Sequence, residues 1–156
     1  MKRVVITGAG TINALGANVD QTLEAMREGR CGSGELEFRD VERLAIRIGG
    51  QVKGYEPDEH FNRQQLSLYD RFTQFTLLAA REAIGQSGLE FSGELAARAG
   101  VVLGNSGGGM TTLDDNYRTV YEAGKNRVHP FVETKLMNNA AASHVSMEFN
   151  LKGPSF

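Results

Sequence analysis

The sequence has one cysteine, few prolines, no large excess of either charge and no long apolar run. A single cysteine, Cys31, excludes an internal disulfide and predicts a reducing, cytoplasmic setting. The apolar residues after Met-Lys-Arg are too few for a signal-peptide core or a membrane span. The net charge of -2 argues against general binding to nucleic acid, because phosphate contacts need a basic surface.

Glycine, in contrast, is abundant, with 19 residues against 3 prolines. The glycines cluster at the ends of apolar runs rather than in a low-complexity tract, so they predict close approaches of the backbone and not a linker. A chain of 156 residues is long enough for a core, and fits one domain or part of a larger one.

Two apolar runs that lead into glycines predict neighbouring strands of one sheet. Residues 4–6 are apolar on both faces, which predicts a fully buried strand. Residues 98–103 repeat the pattern and lead into residues 104–109, which we name the glycine loop. A helical pattern over residues 18–29 follows the first strand, so strand, turn and helix predict half of a βαβ unit.

Three further segments predict helices. Residues 70–86 carry apolar side chains around most of the helix, which is therefore predicted to lie buried between layers and to end at Gly88. Residues 110–122 and 136–149 also have helical periodicity. At residues 46–52 apolar positions alternate with polar or glycine positions, a weaker pattern that indicates a strand or hairpin.

Neither glycine-rich segment fits a nucleotide-binding motif. The dinucleotide fingerprint needs a third glycine three residues after Gly10, where the sequence has Asn13. The glycine loop lacks the Lys-Ser/Thr ending of a phosphate loop, since Met110 and Thr111 follow it. Both segments therefore predict structural turns.

The residue pattern identifies no nucleophile, general base, metal site or cofactor site. Cys31 has no histidine near it in sequence that would raise its thiolate fraction. His60, His129 and His144 lack metal-ligand spacing, and His144 is predicted to pack within its helix and to satisfy its nitrogens there.

Five motifs occur in order along the chain. They are Val-Val-Ile-Thr-Gly-Ala-Gly at 4–10, Leu-Gly at 15–16, Gly-Asn-Ser-Gly-Gly-Gly at 104–109, Asn139 before an alanine-rich helix, and Leu-Lys-Gly-Pro-Ser at 151–155. Together they resemble the N-terminal part of a β-ketoacyl-acyl-carrier-protein synthase of the elongating, fatty-acid type. The resemblance implies an α/β fold of thiolase type, a layered α-β-α-β-α sandwich with the first strand central in its sheet. Residues 1–156 would form its N-terminal portion only.

The resemblance also implies an activity, the extension of acyl chains by decarboxylative Claisen condensation with malonyl carrier protein in fatty-acid or related polyketide biosynthesis. In that family the nucleophilic cysteine follows Gly-Pro-Ser by a few residues, and two histidines and a lysine lie far downstream. Because this sequence stops at Phe156, no catalytic residue is expected within it, and neither Cys31 nor His144 matches those positions.

The partners implied by the resemblance are proteins, and no cofactor is implied. They are acyl- and malonyl-loaded acyl carrier protein, and a second subunit in a homodimer or in a heterodimer with a related ketosynthase. Neither nucleic acid nor a membrane is expected as a partner, and the expected location is the cytoplasm. This chain would supply scaffold, acyl-pocket wall and dimer contacts, and would be inactive alone.

By resemblance, four residues belong to the acyl pocket. Gly107, with Gly108 after it, stands where relatives often carry a bulky apolar gatekeeper, which implies a roomier or more mobile pocket. Phe131 and Met137 bound a segment that resembles the one reaching across the dimer interface toward the partner's pocket, although its Glu133 adds polarity where apolar residues are common.

Carrier-protein docking is the second function that the resemblance assigns to this chain. Relatives carry several basic residues near positions 63–71, where this chain retains Arg63 and Arg71 and has Ser67 and Leu68 between them. The two arginines are the predicted docking residues.

Two other interpretations stay open. A non-catalytic homologue of chain-length-factor type would shape a partner's tunnel, and the residue at the family's cysteine position beyond Phe156 would distinguish it from an enzyme. A nucleotide-binding α/β domain is disfavoured by the glycine spacing, and a nucleotide-binding assay would test it.

Overall fold

A computed structural model describes residues 3–156, and the chain divides into two compact units. The first unit comprises Met1–Glu56 and Leu78–Gly88, and the second comprises Pro57–Leu77 and Leu89–Phe156. In chain order the helices are α1 (Val19–Arg27), α2 (Arg63–Leu68), α3 (Arg71–Ser87), α4 (Gly93–Arg98), α5 (Met110–Tyr117, continued by a π-helical turn over Arg118–Glu122), α6 (Val132–Leu136) and α7 (Ala140–Glu148). The strands are β1 (Ser33–Glu35) and β2 (Ile48–Gly50), and short 3-10 turns cover Val41–Arg43 and Pro57–Glu59. None of the helices in this described part of the chain is long and apolar enough to cross a bilayer.

In the first unit, the N-terminal glycines run against α3. A Cβ atom on Gly8 would overlap the carbonyl oxygen of Ala83, and a Cβ atom on Gly10 would overlap that of Ala79. Glycine alone allows this separation, since every other residue places a carbon where the helix backbone lies. The prediction that these glycines permit a close backbone approach is confirmed.

The carboxylate of Glu82 on α3 connects this glycine segment to the start of α1. It accepts hydrogen bonds from the N–H of Thr11 at 2.9 Å and from the N–H of Val19 at 2.8 Å. Val19 is the first residue of α1, where backbone N–H groups have no partner within the helix. Asn18 caps the same end by accepting from the N–H of Gln21 at 2.9 Å, as the sequence predicts.

The buried strand predicted at residues 4–6 is not formed. Val4 is 93% exposed and Ile6 is 92% exposed, and residues 3–10 are assigned neither helix nor strand. A strand buried on both faces needs hydrogen-bonded neighbours at its edges and covering layers on both sides. The residues that the structure describes supply neither for this segment, so its apolar side chains stay accessible.

A hairpin completes the first unit. Strands β1 and β2 pair antiparallel, with Ser33 opposite Gly50 and Glu35 opposite Ile48. The hairpin indicated by residues 46–52 is confirmed.

In the second unit, the strand predicted at residues 98–103 is reduced to a short β-bridge. The N–H of Val101 donates to the carbonyl of Pro154 at 2.8 Å, and the N–H of Leu103 donates to that of Phe156 at 2.9 Å. These bonds make a short parallel bridge between Val101 and Ser155. Val102 is 77% exposed, so this segment is not buried on both faces.

Helix α3 matches the prediction in position and differs from it in burial. Its buried residues are Thr73, Gln74 and Leu77, whereas Arg71, Gly85 and Gln86 are exposed. The other residues of α3 are partly buried, because a helix is buried only where another element packs on it. Little of α3 is therefore fully exposed, as predicted, although most of its residues are only partly covered.

The helix predicted over residues 136–149 is shorter in the structure, where it covers Ala140–Glu148. Helix α6 ends at Leu136, Met137 adopts an extended conformation with ψ 141°, and α7 begins at Ala140. Asn138 and Asn139 lie between them, and asparagine favours caps and turns because its side chain competes for backbone hydrogen bonds. The small residues Ala140, Ala141 and Ala142 of α7 are buried.

Candidate functional site

A cavity of about 380 Å³ in the second unit is the candidate binding site. Its size falls in the range that small-molecule sites occupy. It is lined by residues from the end of α2, from α6 and the turn after it, and from one face of α7: Leu68, Phe131, Thr134, Met137, Asn139, Ala140, Ser143, His144 and Met147.

The two hydroxyl groups of the lining donate hydrogen bonds to backbone carbonyls. Thr134 Oγ1 donates to the carbonyl of Phe131 at 3.0 Å, and Ser143 Oγ donates to the carbonyl of Asn139 at 3.0 Å. These bonds stay within their own helical turns, so neither hydroxyl donates toward the cavity. The lining contains no carboxylate, amine or guanidinium group. The cavity therefore offers a mainly apolar surface.

His144 is the titratable group of the lining, and burial lowers its pKa below the ordinary value of 6.5, because burial penalises the charged imidazolium. Its ring meets the Tyr69 ring edge-on at 4.5 Å between centroids, and Tyr69 in turn meets Phe61 at 5.7 Å. The imidazole is thus neutral at pH 7 and sits in an aromatic environment. His144 thus packs against Tyr69, outside its own helix, and the prediction that its ring nitrogens are satisfied within that helix stays a prediction.

The structure brings together two of the four predicted pocket residues. Phe131 and Met137 both line the cavity, whereas Gly107 and Gly108 do not. The glycine loop instead packs behind the lining, against residues 136–138. The N–H of Gly109 donates to the carbonyl of Leu136 at 3.0 Å, next to Met137.

Gly107 and Gly108 differ in whether a side chain would fit at their positions. Gly108 has a φ of 59°, and a Cβ atom on it would overlap the carbonyl oxygen of Leu136. A Cβ atom on Gly107 would lie 3.2 Å from Cγ of Met110, which is part of a flexible side chain. Gly108 is therefore required by the backbone, whereas position 107 can accept a side chain.

The predicted docking arginines lie on the surface at helix starts. Arg63 is the first residue of α2 and Arg71 is the first residue of α3, and both are exposed. The Arg71 guanidinium carbon lies 5.1 Å from the centroid of the Phe75 ring, a cation–π contact.

Cys31 and the metal-ligating residue types do not form a site in the described residues. Cys31 is exposed as a free thiol in the first unit. Over residues 3–156, no cluster of histidine, cysteine and carboxylate side chains could hold a metal ion.

Several lining residues were not anticipated from the sequence. Ala140, Ser143, His144 and Met147 recur at helical spacing and share one face of α7, a signal that the periodicity contains. Leu68 follows from no sequence signal, because it reaches the cavity only through the fold of the chain.

The whole chain matches one protein family. Residues 1–156 match the family model described as β-ketoacyl synthase, N-terminal domain. A similar curated protein is 3-oxoacyl-[acyl-carrier-protein] synthase 2 of Staphylococcus aureus strain N315, which is 33% identical over 99% of this chain and 37% of its own length. Nodulation protein E of Rhizobium sp. strain N33 is 37% identical over 99% of this chain and 38% of its own length. The chain thus spans less than two fifths of these relatives.

Solved ketosynthase structures share the fold. A β-ketoacyl synthase from Burkholderia phymatum STM815 superposes with a TM-score of 0.76 at 27% identity, over 99% of this chain and 38% of that one. The ishigamide ketosynthase/chain length factor gives a TM-score of 0.82 at 21% identity, over 99% of this chain and 39% of that one. A type II polyketide ketosynthase in complex with its acyl-carrier protein gives a TM-score of 0.77 at 21% identity, over 100% of this chain and 42% of that one. The predicted α/β fold of thiolase type is confirmed by these matches.

Proposed function

Because this chain belongs to the β-ketoacyl synthase family through its N-terminal domain, we propose that the protein carrying it is a 3-oxoacyl-[acyl-carrier-protein] synthase. The observation that carries the proposal is the alignment of 99% of the chain with a curated synthase at 33% identity. The uncharged, mainly apolar cavity supports it, because such a surface suits an acyl chain.

The proposed reaction joins two thioesters. A cysteine thiolate attacks the acyl thioester, a new enzyme thioester forms and the carrier-protein thiol leaves. The malonyl thioester loses carbon dioxide, and the resulting enolate carbon attacks the enzyme-bound acyl carbonyl. A carbon–carbon bond forms, the cysteine thiolate leaves, and the product is a 3-oxoacyl thioester on the carrier protein.

In this proposal residues 1–156 form the N-terminal portion of a longer ketosynthase domain, and the catalytic groups come from outside it. The chain supplies scaffold, the wall of the acyl pocket and contacts with a second subunit, either identical or a related ketosynthase. Phe131 and Met137 contact the acyl chain, as their place in the cavity lining supports. Gly108 shapes the wall from behind, against Leu136 and Asn138, and Gly107 precedes it in the same loop.

We assign carrier-protein docking to Arg63 and Arg71 as part of the same proposal. A cation in the first turn of a helix interacts unfavourably with the helix dipole, so the dipole favours neither arginine at its position. An acidic partner bound at these exposed helix starts would offset that cost. The setting proposed is the cytoplasm, where the thiol of Cys31 would stay reduced.

A condensation assay tests the proposal. The longer protein, supplied with acyl-loaded and malonyl-loaded acyl carrier protein, should release carbon dioxide and form 3-oxoacyl carrier protein, detected by mass spectrometry. Residues 1–156 alone should not raise product above a no-enzyme control. Absence of product from the longer protein would overturn the proposal, and product from residues 1–156 alone would overturn the assignment of catalysis to other segments.

A second candidate is a non-catalytic homologue of chain-length-factor type. A structure that combines a ketosynthase with a chain length factor is among those sharing this fold, with a TM-score of 0.82. The intact mass of the protein after incubation with acyl carrier protein separates the two candidates. An enzyme gains the mass of the acyl group, whereas a non-catalytic homologue gains none and changes the product length of a partner ketosynthase.

A further inference from the structure

His144 places a polar aromatic ring in the wall of the cavity. Burial lowers its pKa and keeps the imidazole neutral at pH 7, and a neutral imidazole has one nitrogen that donates and one that accepts. In any histidine Nδ1 is the nitrogen close to its own backbone, whereas Nε2 lies at the far edge of the ring. A hydrogen bond within α7, as predicted for this ring, therefore satisfies one nitrogen at most and leaves Nε2 for another partner.

The other polar groups of the lining differ from this imidazole. The hydroxyls of Thr134 and Ser143 already donate to backbone carbonyls of their own turns. Asn139 is exposed at the start of α7, where water is available to its amide. His144 is half-buried in the middle of α7, between Ala140 and Met147 on the face that lines the cavity.

The ring of Tyr69 holds the imidazole from the side. The two ring centroids are 4.5 Å apart at an interplanar angle of 60°, the edge-to-face geometry that aromatic pairs favour. Tyr69 is itself fixed through its backbone, because its N–H donates to the carbonyl of Gln65 at 2.9 Å and its carbonyl accepts from Nε2 of Gln74 at 3.1 Å. Gln74 is buried, so this anchor is shielded from water. The imidazole therefore has a defined place in the wall.

A ligand that enters the cavity removes water from the imidazole. A saturated hydrocarbon chain offers no hydrogen bond in return, so it leaves a polar nitrogen buried without a partner, which is unfavourable. A chain with an oxygen atom at the level of His144 replaces the lost water, while its apolar part packs on Leu68, Phe131 and Met147. A site that bonds a substrate oxygen discriminates against the analogue without it more strongly than an apolar site discriminates one methylene.

We propose that His144 is a specificity-determining residue of the cavity, and that its Nε2 bonds a hydroxyl or keto oxygen carried part-way along an acyl chain. Tyr69 is the positioning residue that holds the imidazole for this bond. The inference rests on the proposed synthase function, since it takes the cavity as the acyl pocket, and it goes further by naming an oxygen-bearing chain as the favoured occupant.

The first test measures binding and does not depend on activity. The longer protein, with isotope-labelled histidines, is titrated with the N-acetylcysteamine thioester of decanoic acid and with analogues that carry a hydroxyl or a keto oxygen at each chain position in turn. An oxygenated chain should shift the nuclear magnetic resonance signal of the His144 imidazole and bind about tenfold more tightly than the saturated chain. His144→Phe should abolish that preference, because it keeps an aromatic ring against Tyr69 and removes both nitrogens.

Three further variants separate hydrogen bonding from packing. His144→Gln keeps a donor and an acceptor, so it should retain the preference for the oxygenated chain to within a few-fold. Tyr69→Leu should reduce the preference and leave the affinity for the saturated chain unchanged, because the imidazole loses its orientation. His60→Phe is the matched control, since it makes the same change at an exposed histidine outside the lining and should leave the preference intact.

The chains that bind also identify the protonated nitrogen. A preference for hydroxyl chains alone means that Nε2 accepts, and a preference that includes keto chains means that Nε2 donates; both results support the proposal. Equal binding of oxygenated and saturated chains, or a preference that persists in His144→Phe, would overturn it. An imidazole signal that no chain shifts would overturn it as well, since the cavity would then be closed to acyl chains.

These measurements separate the inference from the proposed function. If the longer protein forms no 3-oxoacyl carrier protein while its imidazole responds to an oxygenated chain, the synthase function fails and the specificity of the cavity stands. If the protein condenses acyl groups but binds saturated and oxygenated chains equally, the synthase function stands and the role of His144 fails.

Discussion

His144 is a residue of the cavity lining whose protonation makes the stability of the folded protein depend on pH. Burial lowers its pKa below 6.5, so the folded protein binds this proton less readily than the unfolded chain does. Acidification therefore favours the unfolded state. The stability tied to a neutral His144 is complete above about pH 6.5 and is lost as the pH falls through the lowered folded-state pKa.

We predict that His144→Gln reduces the acid sensitivity of the longer protein. The thermal midpoint of the wild type should fall when the pH is lowered from about 8 to about 5, and the variant should lose less over the same interval. His129→Gln is the control, because His129 is exposed and lies outside the cavity. A loss of midpoint as large in His144→Gln as in the wild type would contradict the prediction.

At the scale of elements, the packing of the N-terminal glycines on α3 organises the first unit. The contact joins residues 8–10 to a helix more than sixty positions away in sequence, and Glu82 adds hydrogen bonds to Thr11 and Val19 at the same place. It leaves no room for a side chain, because backbone faces backbone.

Two glycine-to-alanine substitutions should therefore have opposite effects on stability. Gly10→Ala should destabilise by about 1–3 kcal/mol, since the new methyl group overlaps the carbonyl of Ala79 and the segments must separate. Gly85→Ala, within α3, should stabilise by about 0.5–1 kcal/mol, because a Cβ atom there meets nothing within 4 Å and alanine is the better helix former. Thermal or denaturant midpoints of the longer protein measure both, and a Gly10→Ala protein as stable as the wild type would refute the packing argument.

At the scale of the whole molecule, the chain leaves apolar side chains accessible where the sequence predicts buried strands. Val4, Ile6 and Val102 are among the most exposed of its large apolar residues. Exposed apolar surface of this kind marks an interaction site or promotes association.

Residues 1–156 produced alone should therefore bind a hydrophobic dye and associate as concentration rises. Light scattering and dye fluorescence measure this, and an Ile6→Thr variant should reduce both signals. A soluble monomer with a sharp, cooperative thermal transition would show instead that the chain covers its own apolar surface.

Local signals were sufficient for much of the secondary structure. The asparagine cap of α1, the positions of α1 and α3 and the hairpin follow from side-chain chemistry within a few residues, and so does the role of the N-terminal glycines. Helix α2 carries a similar local signal, the capping box in which Asn62 and Gln65 each accept from the other's backbone N–H. The order of five motifs also identified the family.

The tertiary structure decided what depends on distant neighbours. Residues 4–6 and 101–103 can become buried strands only if neighbouring strands pair with them and other layers cover them. An apolar sequence pattern is compatible with such neighbours but does not supply them. The cavity likewise combines Leu68 with residues 131–147, which are far from it in sequence. Asp70 reaches Thr112 across 42 positions, and no local pattern distinguishes a carboxylate that caps a distant helix from one that caps its own. The sequence alone determined the positions of α1 and α3, the hairpin and the family, whereas burial and the cavity came from long-range contacts that only the folded chain creates.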